Sequence, residues 1–341
     1  MNNAKLTKSD GDKAMEQILE NISGDASAQM GMRDMAGPFG KVLIDVATVR
    51  PEVVALTADL SKYTDLFAFA EIYPDRFLNV GMAEQNLVNV ACGIAQAGLV
   101  PVATTFGAFL TRRATDFIVM QAALPKANVK LIGAVPGITA TFGPSHTSID
   151  DLAIMRAIPN LVVIDPADGT ELGEALSAAL AYEGPVYIRQ PFATHVDDAE
   201  NKDRKPFQIG KNVLLREGSD IGIVAMGFMV DEALAAANEL EKDGIQASVL
   251  KVSTIKPFDE DSLLALSAST KALVTAENHS VVGGLNSVVC EALAREGQQV
   301  KVRAIGVPQD CFPEFGSREY VQEQLGMMPA DIAQAARDLL V

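Results

Sequence analysis

The sequence predicts an α/β protein with two mainly parallel sheets, each flanked by helices. Short apolar segments alternate with helix-length segments along most of the 341 residues, which is typical of parallel sheets that are buried on both faces. The apolar content is 48%, but only 6% of the residues are aromatic and Trp is absent, so small aliphatic side chains would form the core. A charged stretch without core-forming residues, 194–206, interrupts the alternation and indicates a linker between two domains.

The elements of the first domain follow from hydrophobic periodicity and from the residues that end helices. Apolar residues recur at helical spacing between Ala36 and Val49, and Gly98 ends a long helix of small residues. The predicted helices are 36–49, 66–72, 83–97, 109–123, 150–157 and 168–182. Short apolar runs between these helices predict buried strands. The predicted strands are 53–57, 77–80, 100–104, 129–134, 161–164 and 186–189.

The alternation restarts after the linker and predicts a second, smaller α/β domain at 207–341. Its predicted strands are 220–226, 247–252, 273–276 and 300–305, and its predicted helices are 229–242, 259–266, 286–295 and 330–340. The first domain would span 32–193. Residues 1–31 are polar, and we expect them to form an N-terminal extension with at most one loose helix.

Charge and cysteine content narrow the classes of function. The net charge of −16 argues against sequence-independent binding of nucleic acid or of anionic membranes. The three cysteines are far apart in sequence, so we expect neither a disulfide framework nor a thiolate zinc site. The N-terminus lacks the apolar segment of a signal peptide, and the chargeless segment 87–111 contains Pro101 and three glycines, as a buried helix and strand would. We therefore expect a cytoplasmic protein.

The segment 81–86, Gly-Met-Ala-Glu-Gln-Asn, is the first with unusual chemistry. Glu84 is the only charged residue between Ala83 and Thr111, and it begins an apolar helix. As a first-turn acid it would stabilise the helix dipole. As a buried carboxyl it would donate or accept a proton in catalysis. The residues alone leave both interpretations open.

Three further features lie where predicted strands of the first domain end. Phe106 and Phe109 are three residues apart, where they would pack in the core or form a wall for a flat heteroaromatic ring. The loop 137–146 is rich in Gly and Thr and ends at His146, which would be functional or structural. Arg189 ends the last strand, where it would bind an anionic substrate group or the acidic residues of the linker.

Common nucleotide-binding and hydrolase motifs are absent from the sequence. It contains no GxxxxGK[ST], no GxGxxG between a strand and a helix, no GxSxG and no HExxH. A nucleotide-dependent oxidoreductase, a serine hydrolase and a zinc protease are therefore poorly supported.

Five motifs taken in order resemble the thiamine diphosphate enzymes of the transketolase superfamily. They are Ala-Asp-Leu at 58–60, the segment 81–86, Thr-Phe-Gly-Ala-Phe at 105–109, Gly-Pro-Ser-His at 143–146 and Met-Arg-Ala-Ile-Pro-Asn-Leu at 155–161, followed by Asp-Pro-Ala-Asp at 165–168. The resemblance begins near Met32 and covers nearly all of the remaining chain. It implies a pyrimidine-binding domain at 32–193 and a transketolase C-terminal domain at 207–341.

The resemblance implies a cofactor-binding role for each residue that matches a motif. Glu84 would hydrogen-bond the aminopyrimidine ring of thiamine diphosphate and share a proton with it. Phe106 and Phe109 would stack on that ring or flank it. Asp59 and Leu60 would lie on the loop that approaches the cofactor.

The resemblance also implies substrate-binding residues. His146 would contact substrate hydroxyls near the reacting carbons, and Arg189 and Arg33 would bind phosphate. Ordinary transketolases carry His-Asp where this chain has Ala-Val at 134–135, and Asp where it has Phe142. Because these changes remove hydrogen-bond partners and narrow the pocket, we expect an atypical substrate, such as the branched ketose phosphate apulose 4-phosphate, with dihydroxyacetone phosphate as an acceptor.

The family binds the diphosphate and a divalent cation through a GDG…N segment in a separate domain. The Asp-Gly pairs at 10–11 and 168–169 are misplaced for that role, the first near the polar N-terminus and the second in the predicted pyrimidine-binding domain. We therefore expect a larger partner chain that holds the diphosphate with Mg²⁺ or another divalent cation, no metal ligand in this chain, and a two-plus-two heterotetramer that transfers a two-carbon ketol unit between sugar phosphates. The alternatives are the β-subunit of a 2-oxoacid dehydrogenase E1 component and a 1-deoxyxylulose-phosphate synthase-like enzyme.

Overall fold

The computed structural model describes residues 38–139, 142–190 and 205–341. Within these ranges it confirms the predicted fold class, because the chain forms two mainly parallel sheets flanked by helices. The N-terminal extension 1–31 and most of the predicted linker 194–206 lie outside the described residues.

The first sheet is built mainly from the residues before the predicted linker. Its strands from that part of the chain are β1 (Val53–Thr57), β2 (Phe77–Asn79), β3 (Val100–Phe106), β4 (Lys130–Ala134), β5 (Val162–Ile164) and β6 (Val186–Gln190). The helices are α1 (Pro38–Val49), α2 (Phe67–Ile72), α3 (Glu84–Gln96), α4 (Gly107–Phe117), α5 (Asp151–Ala157) and α6 (Gly169–Ala181). A 3₁₀ turn at Pro74–Arg76 precedes β2.

Helices cover both faces of this sheet. Along β1, the side chains of Val54 and Leu56 pack in one apolar cluster with α3 and α4, whereas Val53 and Ala55 pack in another with α1 and α6. Every residue of β1, β3, β4, β5 and β6 is buried. Most residues of these strands are therefore apolar, without the polar–apolar alternation of a strand that has one face in water.

The second sheet is formed by residues beyond the predicted linker. Its strands are β7 (Val213–Arg216), β8 (Ile221–Ala225), β9 (Ala247–Lys251), β11 (Ala272–Ser280) and β12 (Lys301–Val307), in the order β12-β11-β8-β9-β7. The helices are α7 (Met229–Lys242), α8 (Glu260–Ser269), α9 (Leu285–Arg295), α10 (Arg318–Leu325) and α11 (Pro329–Leu340). Strand β7 pairs antiparallel with β9, and the other strands are parallel.

One strand from beyond the linker belongs to the first sheet. Strand β10 (Thr254–Lys256) pairs antiparallel with β5, which gives a seven-stranded sheet in the order β10-β5-β6-β4-β3-β1-β2. The local sequence pattern does not predict β7, β10 or α10. It predicts one helix over 109–123, whereas the α-helix α4 ends at Phe117 and is followed directly by a π-helical turn at Ile118–Ala123. No helix in the described ranges has the length and apolar character needed to cross a membrane.

Candidate active site

The candidate site lies at the carboxyl ends of β1, β3 and β4, which are neighbours in the first sheet. In parallel α/β sheets, the loops that leave the carboxyl ends of the strands form the usual ligand crevice. The loop after β1 supplies Leu60 and Tyr63, β3 ends at Phe106, and the loop after β4 leads to His146. These side chains meet in one small cluster that also includes Phe109 of α4.

Glu84 is held at the first position of α3. The residue is only 3% exposed, and its Oε1 accepts a hydrogen bond of 3.0 Å from Nη1 of Arg113. The preceding turn is fixed by Asn79, whose Oδ1 accepts from the backbone N–H groups of Asp59 and Gly81. Asn79 thus ties the loop after β1 to the turn that leads into Glu84.

Arg113 links Glu84 to the aromatic cluster. Its Cζ lies 3.9 Å from the centroid of the Phe109 ring, which is a close cation–π contact. The Arg113 side chain is 49% exposed, whereas that of Glu84 is 4% exposed. A buried carboxylate is therefore paired with a cation that reaches solvent.

Five rings form the centre of the site. The Phe106 ring is 5.8 Å from Phe109 and 5.8 Å from Phe142, and the Phe142 ring stacks on it at an interplanar angle of 21°. Tyr63 meets Phe106 edge-on at 5.9 Å. The imidazole of His146 lies 5.0 Å from Phe109 and 5.7 Å from Phe142. Offset and edge contacts of this kind fix ring orientation, so the cluster presents a defined apolar surface.

His146 is a neutral imidazole at pH 7 in this environment. Partial burial lowers its pKa below the ordinary value, and the positive charge of Arg113 lowers it further. Its Nδ1 pairs with the Ser145 hydroxyl at 2.9 Å. A neutral imidazole can donate from one nitrogen and accept at the other, as contact with a sugar hydroxyl requires.

The loop that carries His146 is fastened at both ends. Near its end, Nε and Nη2 of Arg112 form bidentate hydrogen bonds to the Asp150 carboxylate, and Nη2 also donates to the Thr147 carbonyl at 3.0 Å. Near its start, the Asn278 side chain accepts from the Ile138 N–H and donates to the Pro136 carbonyl. Arg112 of α4 thus fixes the end of this loop, and Asn278 of the second domain fixes its start.

Ala134 and Val135 line the base of this cluster and are each 1% exposed. Val135 has φ of +59°, a left-handed conformation that β-branched residues rarely adopt and that Asp or Asn tolerates better. The backbone therefore suits the acidic residue that ordinary transketolases are expected to carry here, while the side chain is apolar. Together with Phe142, these two residues make this part of the site apolar.

The structure contradicts the predicted phosphate-binding role of Arg189. The side chain is fully buried, and its guanidinium makes five hydrogen bonds. The acceptors are both carboxylate oxygens of Asp151, Oδ2 of Asp165, and the carbonyls of Ser148 and Asn278. Five N–H donors with five partners leave none for a substrate phosphate. Arg189 is an internal ion-pairing residue at the junction of the two domains.

The groups around Arg189 form a buried charged network. Burial would raise the pKa of Asp151, but Arg189 holds it below the usual range. Burial raises the pKa of Asp165 to about 6 and that of Glu277 to about 8, and it lowers the pKa of His279 to about 4. Glu277 accepts from the backbone N–H groups at the start of α9.

The structure therefore brings together Glu84, Phe106, Phe109, Phe142 and His146, with Leu60 at the edge of the cluster and Asp59 on the neighbouring exposed loop. Arg33 lies outside the described residues. Among the described residues, no group of three or more His, Cys, Asp or Glu side chains could hold a metal ion.

Sequence reasoning missed four residues of the site: Tyr63, Asn79, Arg112 and Arg113. Arg112 and Arg113 are adjacent in α4, and two adjacent arginines in a helix are usually expected to be exposed to solvent. One signal was present, because Phe109 and Arg113 are four residues apart and side chains at that spacing meet on a helix.

Comparisons with known proteins find similar domains and similar whole chains. The profile of the transketolase pyrimidine-binding domain matches residues 31–192, and that of the transketolase C-terminal domain matches 210–332. The chain is 43% identical to a putative uncharacterized transketolase family protein, y4mN, of Sinorhizobium fredii, covering 89% of this chain and 88% of the relative. It is also 43% identical to the 6-deoxy-6-sulfo-D-fructose transketolase subunit SqwH of Clostridium sp. (strain MSTE9), covering 87% and 92%.

A longer relative and a solved structure extend the comparison. The 1-deoxy-D-xylulose-5-phosphate synthase of Heliobacterium modesticaldum is 35% identical, but this chain spans only 49% of its length. A solved structure described as a split gene transketolase, inactive beta4 tetramer, superposes with a TM-score of 0.81 at 38% identity, covering 89% of this chain and 97% of that one.

Proposed function

The chain belongs to the transketolase family, and from this premise we propose that it carries the pyrimidine-binding half of a thiamine diphosphate-dependent transketolase active site. The enzyme is a transferase that moves a two-carbon ketol unit between sugar phosphates, and this chain is one of its subunits. The observation that carries the proposal is the buried Glu84 carboxylate, which Arg113 links to the ring of Phe109, with Phe106 and His146 in contact with that ring.

The described residues fit the pyrimidine end of the cofactor. A planar, nitrogen-bearing group already lies between Glu84 and Phe109, because the guanidinium of Arg113 contacts both. A carboxylate and an aromatic face in this arrangement also suit an aminopyrimidine ring. When bound, thiamine diphosphate supplies the carbon that carries the two-carbon unit during transfer.

The residues of this chain then have distinct tasks. Glu84 holds a proton at a ring nitrogen of the pyrimidine, since a carboxyl that is 3% exposed is shielded from exchange with water. Phe106 and Phe109 orient the ring and exclude water. The neutral His146 imidazole hydrogen-bonds a hydroxyl of the substrate near the reacting carbons. Asp59 and Leu60 complete the loop that approaches the cofactor.

A separate, larger chain holds the diphosphate and a divalent cation in this proposal, and two copies of each chain form the enzyme. Two similar proteins support this arrangement: one relative is described as a transketolase subunit and one solved structure as a split gene transketolase, and each is matched over more than nine-tenths of its length. We place the enzyme in the cytoplasm, where sugar phosphates are made and consumed. The domain limits 32–193 and 207–341 remain part of the proposal.

The substrate we propose is a modified ketose phosphate or a related ketose with another anionic group. Ala134, Val135 and Phe142 make one wall of the site apolar, so a hydroxyl aimed at that wall would lose about 1–3 kcal/mol for want of a partner. One relative is described as acting on 6-deoxy-6-sulfo-D-fructose, a ketose altered at one carbon. With Arg189 excluded as a ligand, Arg33 is the remaining candidate for the anionic group.

The test compares this chain alone with the complex purified through a tag on it. We expect no ketol transfer by the chain alone and transfer by the complex with thiamine diphosphate and Mg²⁺. Competition among xylulose 5-phosphate, apulose 4-phosphate and 6-deoxy-6-sulfofructose, each with a common aldehyde acceptor, measures the substrate preference. Full turnover by the isolated chain would contradict the proposal that this chain carries only half of the active site. Strong preference for xylulose 5-phosphate would contradict the proposal that Phe142 helps to select a modified substrate.

One alternative activity is favoured by a specific observation, the 35% identity to a 1-deoxy-D-xylulose-5-phosphate synthase. That reaction consumes pyruvate and releases carbon dioxide, whereas ketol transfer does neither. Incubating the complex with pyruvate and glyceraldehyde 3-phosphate and measuring carbon dioxide therefore separates the two. Pyruvate-dependent dye reduction would instead indicate the 2-oxoacid dehydrogenase alternative.

A further inference from the structure

Arg113 makes two contacts inside the candidate site. Its Nη1 donates to Oε1 of Glu84 at 3.0 Å, and its Cζ lies 3.9 Å from the centroid of Phe109. These are two of the residues that the proposed function assigns to the aminopyrimidine ring of the cofactor, so the inference that follows rests on that function.

The guanidinium and an aminopyrimidine ring make the same demands on their surroundings. Both are planar, both present N–H donors to a carboxylate, and both stack on an aromatic face. Phe106 and His146 also contact the Phe109 ring, at centroid distances of 5.8 Å and 5.0 Å. The guanidinium that is hydrogen-bonded to Glu84 thus also lies over the ring of Phe109.

We propose that Arg113 competes with the cofactor's aminopyrimidine ring for Glu84 and Phe109, and thereby sets how tightly the site binds thiamine diphosphate. The ring takes its place only when the guanidinium leaves Oε1 of Glu84 and the face of Phe109. Arg113 is the partner that moves, because its side chain is 49% exposed and can turn into solvent, whereas the Glu84 side chain is 4% exposed.

The neighbouring Arg112 differs from Arg113 in this respect. Its guanidinium is engaged with Asp150 and Thr147, which lie on the loop after His146. The competition is therefore specific to one of two adjacent arginines in α4.

When Arg113 is removed, competition predicts a change in cofactor affinity opposite in direction to the change that simple charge attraction predicts. Thiamine diphosphate is an anion, so removing a cation near the site would weaken its binding if Arg113 acted only through its charge. Removing a competitor strengthens binding instead. The loss of one partly exposed ion pair and one cation–π contact corresponds to roughly a tenfold change in affinity.

The experiment measures dissociation constants of thiamine diphosphate and of thiamine by calorimetry on the complex purified through a tag on this chain. Arg113→Met keeps the apolar length of the side chain and removes the guanidinium. Arg113→Lys keeps the charge without the planar group, and we expect an intermediate effect. Arg337→Met is the control, because Arg337 forms a comparable exposed ion pair with Asp243 in the second domain.

We expect Arg113→Met to lower both dissociation constants roughly tenfold and Arg337→Met to leave them unchanged. If Arg113→Met and Arg113→Lys bind as tightly as the wild type or more weakly, the competition is refuted and the proposed function stands. If tightening occurs with thiamine diphosphate but not with thiamine, the effect lies at the diphosphate end and the competition is refuted. If no protein binds either ligand, the proposed function fails and the inference fails with it.

Discussion

Arg113 and Arg189 lie in the same domain and differ in almost every physical respect. Arg113 is half exposed, pairs with one carboxylate and covers one aromatic ring. Arg189 is fully buried and uses all five of its donors on neighbours from both domains. The region around Arg113 can exchange an internal contact for a ligand, whereas the region around Arg189 cannot.

The difference explains why a position in the sequence is weak evidence for ligand binding. Arg189 ends a strand at the carboxyl edge of the sheet, where ligand-binding residues collect. Its partners Asp151, Asp165 and Asn278 come from other elements, and they satisfy the guanidinium before any ligand could. The network therefore joins the two domains and positions the start of the loop that carries His146, while the ligand contacts that we propose belong to the cluster around Glu84.

We expect Arg189→Met to have the largest effect of these substitutions, and we expect it to lower the stability of the fold. Removing the cation leaves Asp151 and Asp165 buried without their partner, so we expect the free energy of unfolding to fall by about 3–5 kcal/mol. Urea unfolding of the full chain measures this, with Arg337→Met as the control expected to change by less than about 1 kcal/mol, because both partners of the Arg337–Asp243 pair are partly exposed. A stable Arg189→Met protein with a raised KM for the sugar phosphate would restore the phosphate-binding role and erase the contrast between the two arginines.

Glu84→Gln should affect turnover rather than stability. The amide has nearly the volume of the carboxylate but cannot share a proton with a ring nitrogen, so we expect kcat of the complex to fall at least roughly 100-fold. Glu260→Gln is the matched control, because Glu260 also begins a helix and pairs with an arginine, Arg295. Near-normal turnover of the Glu84 variant would make this carboxylate a structural group like those around Arg189.

The difference between the pH dependence of stability of the wild type and that of Glu277→Gln should report the ionisation of Glu277, near Arg189. Burial raises the pKa of Glu277 to about 8 from 4.5, so the folded state binds more protons than the unfolded state between these values and loses stability as the pH rises. Asp165, with a pKa of about 6, and His279, which titrates near 6.5 in the unfolded chain, also contribute in this range, and the comparison with Glu277→Gln removes their shared contribution. Between pH 6.5 and 8 the wild type should therefore lose about 2 kcal/mol relative to Glu277→Gln. If the free energy of unfolding of the two proteins depends on pH in the same way, Glu277 is ionised in the folded state.

Much of the fold could be predicted because buried parallel strands can be recognised in the sequence as short, mostly apolar segments. Strand 53–57 was predicted with its observed limits, and most helices agree within two residues. The strands that were missed are short or partly exposed: β7 has no fully buried residue, and β10 has three residues and pairs outside its own domain. Pairing between distant segments leaves no local pattern.

The candidate site could be predicted only in part for a related reason. Glu84, Phe106, Phe109 and His146 stand in motifs that the family shares, and the structure brings them together. Arg113 has no motif, and its importance arises from which side chains surround it after folding. Arg189 was misjudged because the carboxylates that occupy it lie 24 and 38 residues away.

The central claim is that Glu84 and the neighbouring rings receive the pyrimidine end of the cofactor, and a crystal structure of the complex with thiamine diphosphate tests it most directly. We expect a carboxylate oxygen of Glu84 within about 2.6–3.2 Å of a nitrogen of the aminopyrimidine ring. The ring should lie against Phe109, with the Arg113 guanidinium turned away from both residues. A cofactor ring bound elsewhere, with Glu84 still paired to Arg113, would contradict the account.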